Sequence, residues 1–157
     1  MPSEFSVPLT ALTLGVGPDQ LSDWMIKPKE LRFTATQVAA SATTPLVLVQ
    51  NSDTTKFLLF HGLVAYIIGG TTNYDQNQNF IVKYQTAGGG GTVSTTLANL
   101  MNGGAVGTMK TCKPITTDIA PEAGQDLVLT SSASPYSAAG DRELYVVVYS
   151  SLNNVPT

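Results

Sequence analysis

Hydrophobic residues in this chain recur mostly at every second position, and the longest departure is the apolar run Phe57 to Ile68, FLLFHGLVAYII. Only His61 and Gly62 interrupt its aromatic and aliphatic side chains. Crossing a bilayer as a helix takes about 20 apolar residues, so the run is too short for that. Read as a strand, it puts Phe57, Leu59, His61, Leu63, Ala65 and Ile67 on one face. Leu58, Phe60, Gly62, Val64, Tyr66 and Ile68 fall on the other. Both faces are largely apolar, which predicts a strand between a core and a second cover. Gly69-Gly70-Thr71-Thr72-Asn73 ends it with residues that favour turns.

Shorter alternating stretches surround this strand. From Glu30 the pattern is amphipathic, with Leu31, Phe33, Ala35 and Gln37 against Arg32, Thr34, Thr36 and Val38, a strand by its period. Ala39–Pro45 reads as a turn, Leu46–Gln50 as a short strand and Asn51–Thr54 as an Asx-type turn. Phe80–Gln85, Ala105–Cys112, Ile115–Ile119, Leu127–Ser131 and Glu143–Ser150 are the remaining strands. Thr92–Met101 is the single stretch that predicts a helix, with Ser94 or Thr95 to cap it and Gly103-Gly104 to end it. About eight strands separated by turn clusters, with one short helix, predict an all-β domain: an antiparallel sandwich, jelly-roll-like in arrangement. The helices that βαβ units need between strands are missing.

Residues 1–30 carry a different pattern and predict an extended N-terminal arm leading into a domain over 31–157. Pro2, Pro8, Pro18 and Pro28 come too often for a standard helix or central strand. Apolar residues interleave with the prolines, whereas a solvated tail is usually poor in them. Phe5, Leu9, Leu12, Leu21, Trp24, Met25 and Ile26 are therefore candidate partner-interface residues. Trp24, the chain's only tryptophan, is expected either as an interface anchor, since large aromatics dominate interface energetics, or packed on its own domain. Tyr74 and Tyr136, in the loops Asn73–Asn79 and Ser134–Gly140, are the candidates outside the arm.

Composition sharpens this picture. At 157 residues the chain is long enough to bury one core without staples. Only 12% of residues are charged, against roughly 25% in a typical soluble domain, and serine and threonine supply the polar positions. A surface so poor in charge suits burial in an assembly. The net charge of −3 and the scattered lysines and arginines argue against a nucleic-acid partner. The one cysteine, Cys112, excludes an internal disulfide and a cysteine metal site, and is expected as a small buried hydrophobe. The first residues lack the basic start and apolar core of a signal peptide, so synthesis and folding in a cytoplasm are expected.

Little catalytic chemistry is legible. The one histidine, His61, lies inside the apolar strand and reads as a bonded structural residue. No nucleophile elbow, P-loop or dinucleotide fingerprint occurs. Asp75, Asn77 and Asn79 have the spacing that opens a calcium loop, but Phe80 and Thr86 stand where its glycine and bidentate glutamate belong. The expectation is no enzyme, no cofactor, no metal and no small-molecule substrate.

The order of the segments resembles a family. Thr44-Pro45-Leu-Val-Leu-Val, a turn, Lys56 and the long apolar strand come first. Asn79-Phe-Ile-Val-Lys-Tyr84, a glycine-rich loop, a short leucine-bearing helix and Asp126-Leu-Val-Leu-Thr follow. The last segment is Pro135-Tyr-Ser-Ala-Ala-Gly140-Asp141-Arg-Glu-Leu-Tyr-Val-Val-Val-Tyr149. Together these resemble small β-sandwich structural proteins of tailed bacteriophages, over roughly Leu31 to Tyr149. The resemblance implies a virion component without a catalytic site, a capsid decoration or cement protein on the head surface. It implies the major capsid protein and further copies of the chain as partners, commonly as a homotrimer, with the arm gripping the shell or the next copy. It implies neither a nucleic-acid nor a membrane partner. The competing expectation is a receptor- or carbohydrate-binding module of a tail fibre or spike.

Overall fold

A computed structural model describes residues 25–74, 79–85, 90–115, 122–131 and 140–155. The candidate residues Phe5, Leu9, Leu12, Leu21, Trp24 and Tyr136 lie outside these segments, as do Asp75 and Asn77. The described chain forms seven strands: β1 Lys27–Phe33, β2 Leu46–Val49, β3 Lys56–Gly69, β4 Phe80–Gln85, β5 Met109–Cys112, β6 Asp126–Ser131 and β7 Glu143–Asn154. Every pairing is antiparallel, in a four-stranded sheet of order β1-β7-β3-β5 and a three-stranded sheet of order β2-β6-β4. The expected antiparallel β-sandwich is what the chain builds.

The inner faces of both sheets supply the core. Leu58, Leu63, Ala65 and Ile67 of β3 and Leu144, Val146 and Val148 of β7 face Leu48 of β2, Phe80, Val82 and Tyr84 of β4, and Leu127 and Leu129 of β6. β1 starts at Lys27, so the last four residues of the stretch expected as an arm already pair with β7.

Three elements differ from the sequence reading, each for a physical reason. Alternation predicted a strand through Val38, but β1 stops at Phe33 and helix α1 runs Ala35–Ala40. Thr34, in extended backbone, accepts a bond from the Gln37 amide on its Oγ1, and Gln37 Oε1 accepts one from the Thr34 amide. This capping box overrides the period-two pattern. Val38 is thereby turned into the core at 0% exposure.

The helix expected over Thr92–Met101 shrinks to α2, Leu100–Gly103. Residues 92–97 run beside β4 instead, through Val93 N–H to Val82 C=O and Leu97 N–H to Phe80 C=O. On their other side they meet 113–115, through Thr95 N–H to Lys113 C=O and Ile115 N–H to Val93 C=O. Thr92, Val93, Thr95 and Thr96 lose side-chain freedom in a helix and fit a pleated surface, and two neighbouring edges supply their hydrogen bonds. The segment ties the β4 edge of one sheet to the β5 end of the other. The strand expected over Ala105–Cys112 begins only at Met109, after a turn at Val106-Gly107 with Gly107 at φ +90°. Of Ile115–Ile119, only Ile115 lies in the described residues.

The third difference is in β3. Phe60 pairs with Ser150 and Gly62 with Tyr149, leaving His61 as an extra residue, a β-bulge. The bulge switches parity: Leu58 and Phe60 point inward before it, and Leu63, Ala65 and Ile67 after it. The two faces expected for this strand therefore exchange halfway along. His61 is exposed, with Nε2 2.8 Å from Ser151 Oγ.

Candidate functional site: an apolar outer sheet face

Beyond the bulge, Val64, Tyr66 and Ile68 stand on the outer face of the four-stranded sheet, away from the core. Register brings Val147 beside Val64, Tyr145 and Met109 beside Tyr66, and Tyr149 beside Gly62. Nothing described covers them: Met109 is 55% exposed, Tyr149 37% and Val106, in the adjoining turn, 54%. The Tyr66 and Tyr145 rings lie tilted at 6.1 Å between centroids. With Ile68, Val106, Gly107 and Val147 they wall an open depression of about 570 Å³.

Charge is confined to one edge of this face. Arg32 of β1 bridges to Glu143 at 2.5 Å through Nη2, with Nε at 3.0 Å from the same carboxylate oxygen. The Tyr145 phenol is held above its ordinary value, chiefly by the carboxylate of Glu30, also on β1, and then by desolvation. The rest of the face holds aliphatic side chains, methionine, tyrosine rings and Thr111, which pairs with Val64. A contiguous apolar patch with a polar rim is the composition of an interface core.

Met25 and Ile26, expected at an interface, are 64% and 54% exposed where the described chain begins. Tyr74 is placed otherwise: it is 1% exposed and cannot meet a partner. Its hydroxyl donates toward Ala35 C=O at 2.8 Å and Arg142 C=O at 3.2 Å. Burial, reinforced by the Asp141 charge, pushes the phenol up to about 12, so it stays protonated as a donor. The sequence could not reveal this, because an aromatic in a polar loop reads as exposed until its packing partner is known. The second apolar face of the long strand was expected to need a cover, but alternation cannot say which of its residues stay bare.

Tyr74 is the centre of a clasp between the loop after β3 and the entry to β7. A Cβ on Gly140 would lie 2.6 Å from the Tyr74 ring, so only glycine lets the chain cross there. Asp141 Oδ1 accepts bonds from the Thr71 and Thr72 amides at 2.7 and 2.6 Å. Gly70, at φ +83°, passes so close that a Cβ would lie 2.2 Å from the Asp141 carbonyl oxygen. Arg142, 9% exposed, reaches Asn73 Oδ1 at 3.0 Å and Gly70 C=O at 2.5 Å. Ala-Gly-Asp, the part of the family resemblance with the most distinctive residues, is thus a structural fastening at Gly140 and Asp141.

The amide bonds, Thr72 first, hold the Asp141 carboxyl below its ordinary value of 3.8, against a smaller desolvation effect. A depressed folded value stabilises the fold above the unfolded value and loses that contribution as pH falls through the folded one. Asp141→Asn is therefore expected to lower stability at pH 7 and to narrow its gap from the wild type by pH 3. Urea unfolding at the two pH values measures this, and an equal gap at both would refute it.

Cys112 is 3% exposed, the small buried hydrophobe expected, and desolvation pushes its thiol up to about 11 against a smaller opposing influence of Ser94. Tyr84, 2% exposed, donates its hydroxyl to Leu58 C=O. Among the described residues no three His, Cys, Asp or Glu side chains gather as metal ligands, and no helix is long and apolar enough to cross a membrane. Comparison with known proteins gives no match to a family model, a curated protein or a solved structure.

Proposed function

We propose that this chain is a virion structural protein, a capsid decoration or cement protein that self-associates and stabilises a phage head shell through its N-terminal segment. The observation that carries the reading is the bare outer face of the four-stranded sheet, where Val64, Tyr66, Met109, Tyr145, Val147 and Tyr149 offer a partner an uncharged surface. A scaffold that ends in an apolar sheet face is built to be covered.

The winding of the strands supports the virion part. Pairings nest from the ends of the chain inward: β1 with β7, β2 with β6, β3 with β5, and β4 with residues 92–97. That nesting supports a jelly-roll reading with 92–97 in the place of a strand, an architecture that viral capsid domains use. Lectin domains use it too, but the carbohydrate reading drew on tyrosines in two loops, and Tyr74 is enclosed. Assembly is therefore the preferred reading, with the major capsid protein and further copies, as a homotrimer, as partners.

The experiment adds purified full-length chain to heads assembled without it. Co-sedimentation, density at threefold positions on the head and a rise of several degrees in the temperature of shell opening are expected. Removing residues 1–24, which spares β1, is expected to abolish co-sedimentation. Density at the tail tip alone, or no association with particles, refutes the proposal.

A further inference from the structure

We infer that residues 5–16 of a neighbouring copy occupy the outer face of the four-stranded sheet, so that copies are linked by exchange of their N-terminal segments. The inference rests on the assembly reading above and names the surface and the occupant.

The occupant is chosen by pattern and charge. Residues 5–16, FSVPLTALTLGV, contain no charged side chain. Phe5, Val7 and Leu9 alternate with Ser6, Pro8 and Thr10; Leu12, Leu14 and Val16 then alternate with Thr13 and Gly15. The two halves differ in parity, so such a segment offers one apolar edge when extended with a bulge at Thr10-Ala11 that brings both to the same side, and the middle of the outer face is equally free of charge. Across its interior this face offers side chains rather than backbone groups, so an incoming segment must bring apolar anchors instead of a ladder of amides. Extended at about 3.3 Å per residue, 12 residues reach roughly 40 Å. The six steps of strand from Gly62 to Ile68 need about 20 Å, so one segment covers the face even on a diagonal.

The choice of a neighbouring copy follows from where the described chain begins. Met25 lines, with Val49, Leu58 and Leu152, the opening of about 260 Å³ between the two sheets. That opening is on the inner side of the four-stranded sheet, the side of Leu58 and Ser150, opposite to Val64 and Tyr66. The described chain therefore begins with Met25 on the inner side of its own sheet. Reaching its own outer face would take a reversal around the β1 edge, while a second copy can present that face directly. One segment on one foreign face is a heterologous contact, and such contacts close into rings when the rotation allows.

Light scattering on the full-length chain gives the first test, free of any particle. The wild type is expected as a closed oligomer. Met109→Glu combined with Tyr149→Glu, at two exposed positions of the face, is expected to give monomers with an unchanged melting temperature. Leu12→Asp combined with Leu14→Asp, in the segment, is expected to do the same. A monomeric wild type, or an oligomer that survives either pair of substitutions while the fold is intact, overturns the inference. The second test mixes chains carrying Leu14→Cys with differently tagged chains carrying Val147→Cys, Cys112 being buried and silent. Disulfides joining the two tags are expected under mild oxidation. If a doubly substituted chain links only within itself, the exchange is refuted. Since neither test involves heads, failure here is distinct from failure of the capsid reading.

Discussion

Tyr74→Ala is expected to destabilise the protein by about 3–5 kcal/mol, the loss typical of a large aromatic removed from a core. Three effects combine at this residue. The ring is 1% exposed, so its removal leaves a cavity that the rigid sandwich around it fills poorly. Gly140 has no side chain to move into the gap, because the chain there approaches the ring face directly. The carbonyls of Ala35 and Arg142 lose their shared donor, and a buried acceptor left without a partner costs about 1–3 kcal/mol. Tyr74→Phe isolates this last effect and is expected to cost about 1–3 kcal/mol. For a chain of this size the alanine variant should melt roughly 10 °C lower or more. Calorimetry on the three proteins decides it: a phenylalanine variant as damaged as the alanine variant would mean that the ring contributes nothing by packing. A melting temperature close to the wild type for Tyr74→Ala would remove the clasp from the account of stability.

The fold class could be read from the sequence and the clasp could not. Alternation over Leu46–Val49, Phe80–Gln85, Leu127–Ser131 and Glu143–Ser150 is local information, and each of these stretches became a strand. What the chain wrote locally but in a second code was missed: Thr34-Ala-Thr-Gln37 spells a capping box inside an alternating run, and the helix start prevailed. The opposite happened over Thr92–Leu97, where helical spacing of leucines lost to the unsatisfied edges of β4 and of the 113–115 segment. No window of sequence contains those edges. Tyr74 belongs to the same class, since its partners Ala35 and Arg142 are 39 and 68 positions away. That the long strand has a second apolar face was legible, but not its membership: Val64, Tyr66 and Val147 look like core residues until register assigns Leu63, Ala65 and Val146 to that role.

That register hangs on one residue, and deletion of His61 is expected to have the largest effect of any single change in β3. The bulge it creates keeps Leu58 and Phe60 inward on one side, and Leu63, Ala65 and Ile67 inward on the other. Without the extra residue the strand must either turn one set outward or slip its pairing with β7, because a shift of one residue moves every side chain to the opposite face. Turning out Leu63 and Ile67 forfeits about 1.5–3 kcal/mol for each large aliphatic, and inserts Val64 and Tyr66 where Ala65 had room only for a methyl group. Losses of that size take up much of the 5–15 kcal/mol by which a domain of this kind is stable. His61→Ala makes the control. It keeps the residue count and the bulge while removing an exposed ring and its contact with Ser151, so a loss of about 1 kcal/mol or less is expected. Circular dichroism melts and the dispersion of amide resonances separate the outcomes. Cooperative unfolding and native-like spectra in the deletion variant would show that β3 tolerates either parity. A collapsed spectrum in the deletion beside an intact one in His61→Ala would establish that position 61 matters for its place in the chain rather than for its imidazole. The same pair of proteins bears on the outer face, since Val64 and Tyr66 stand there only because the bulge put them there.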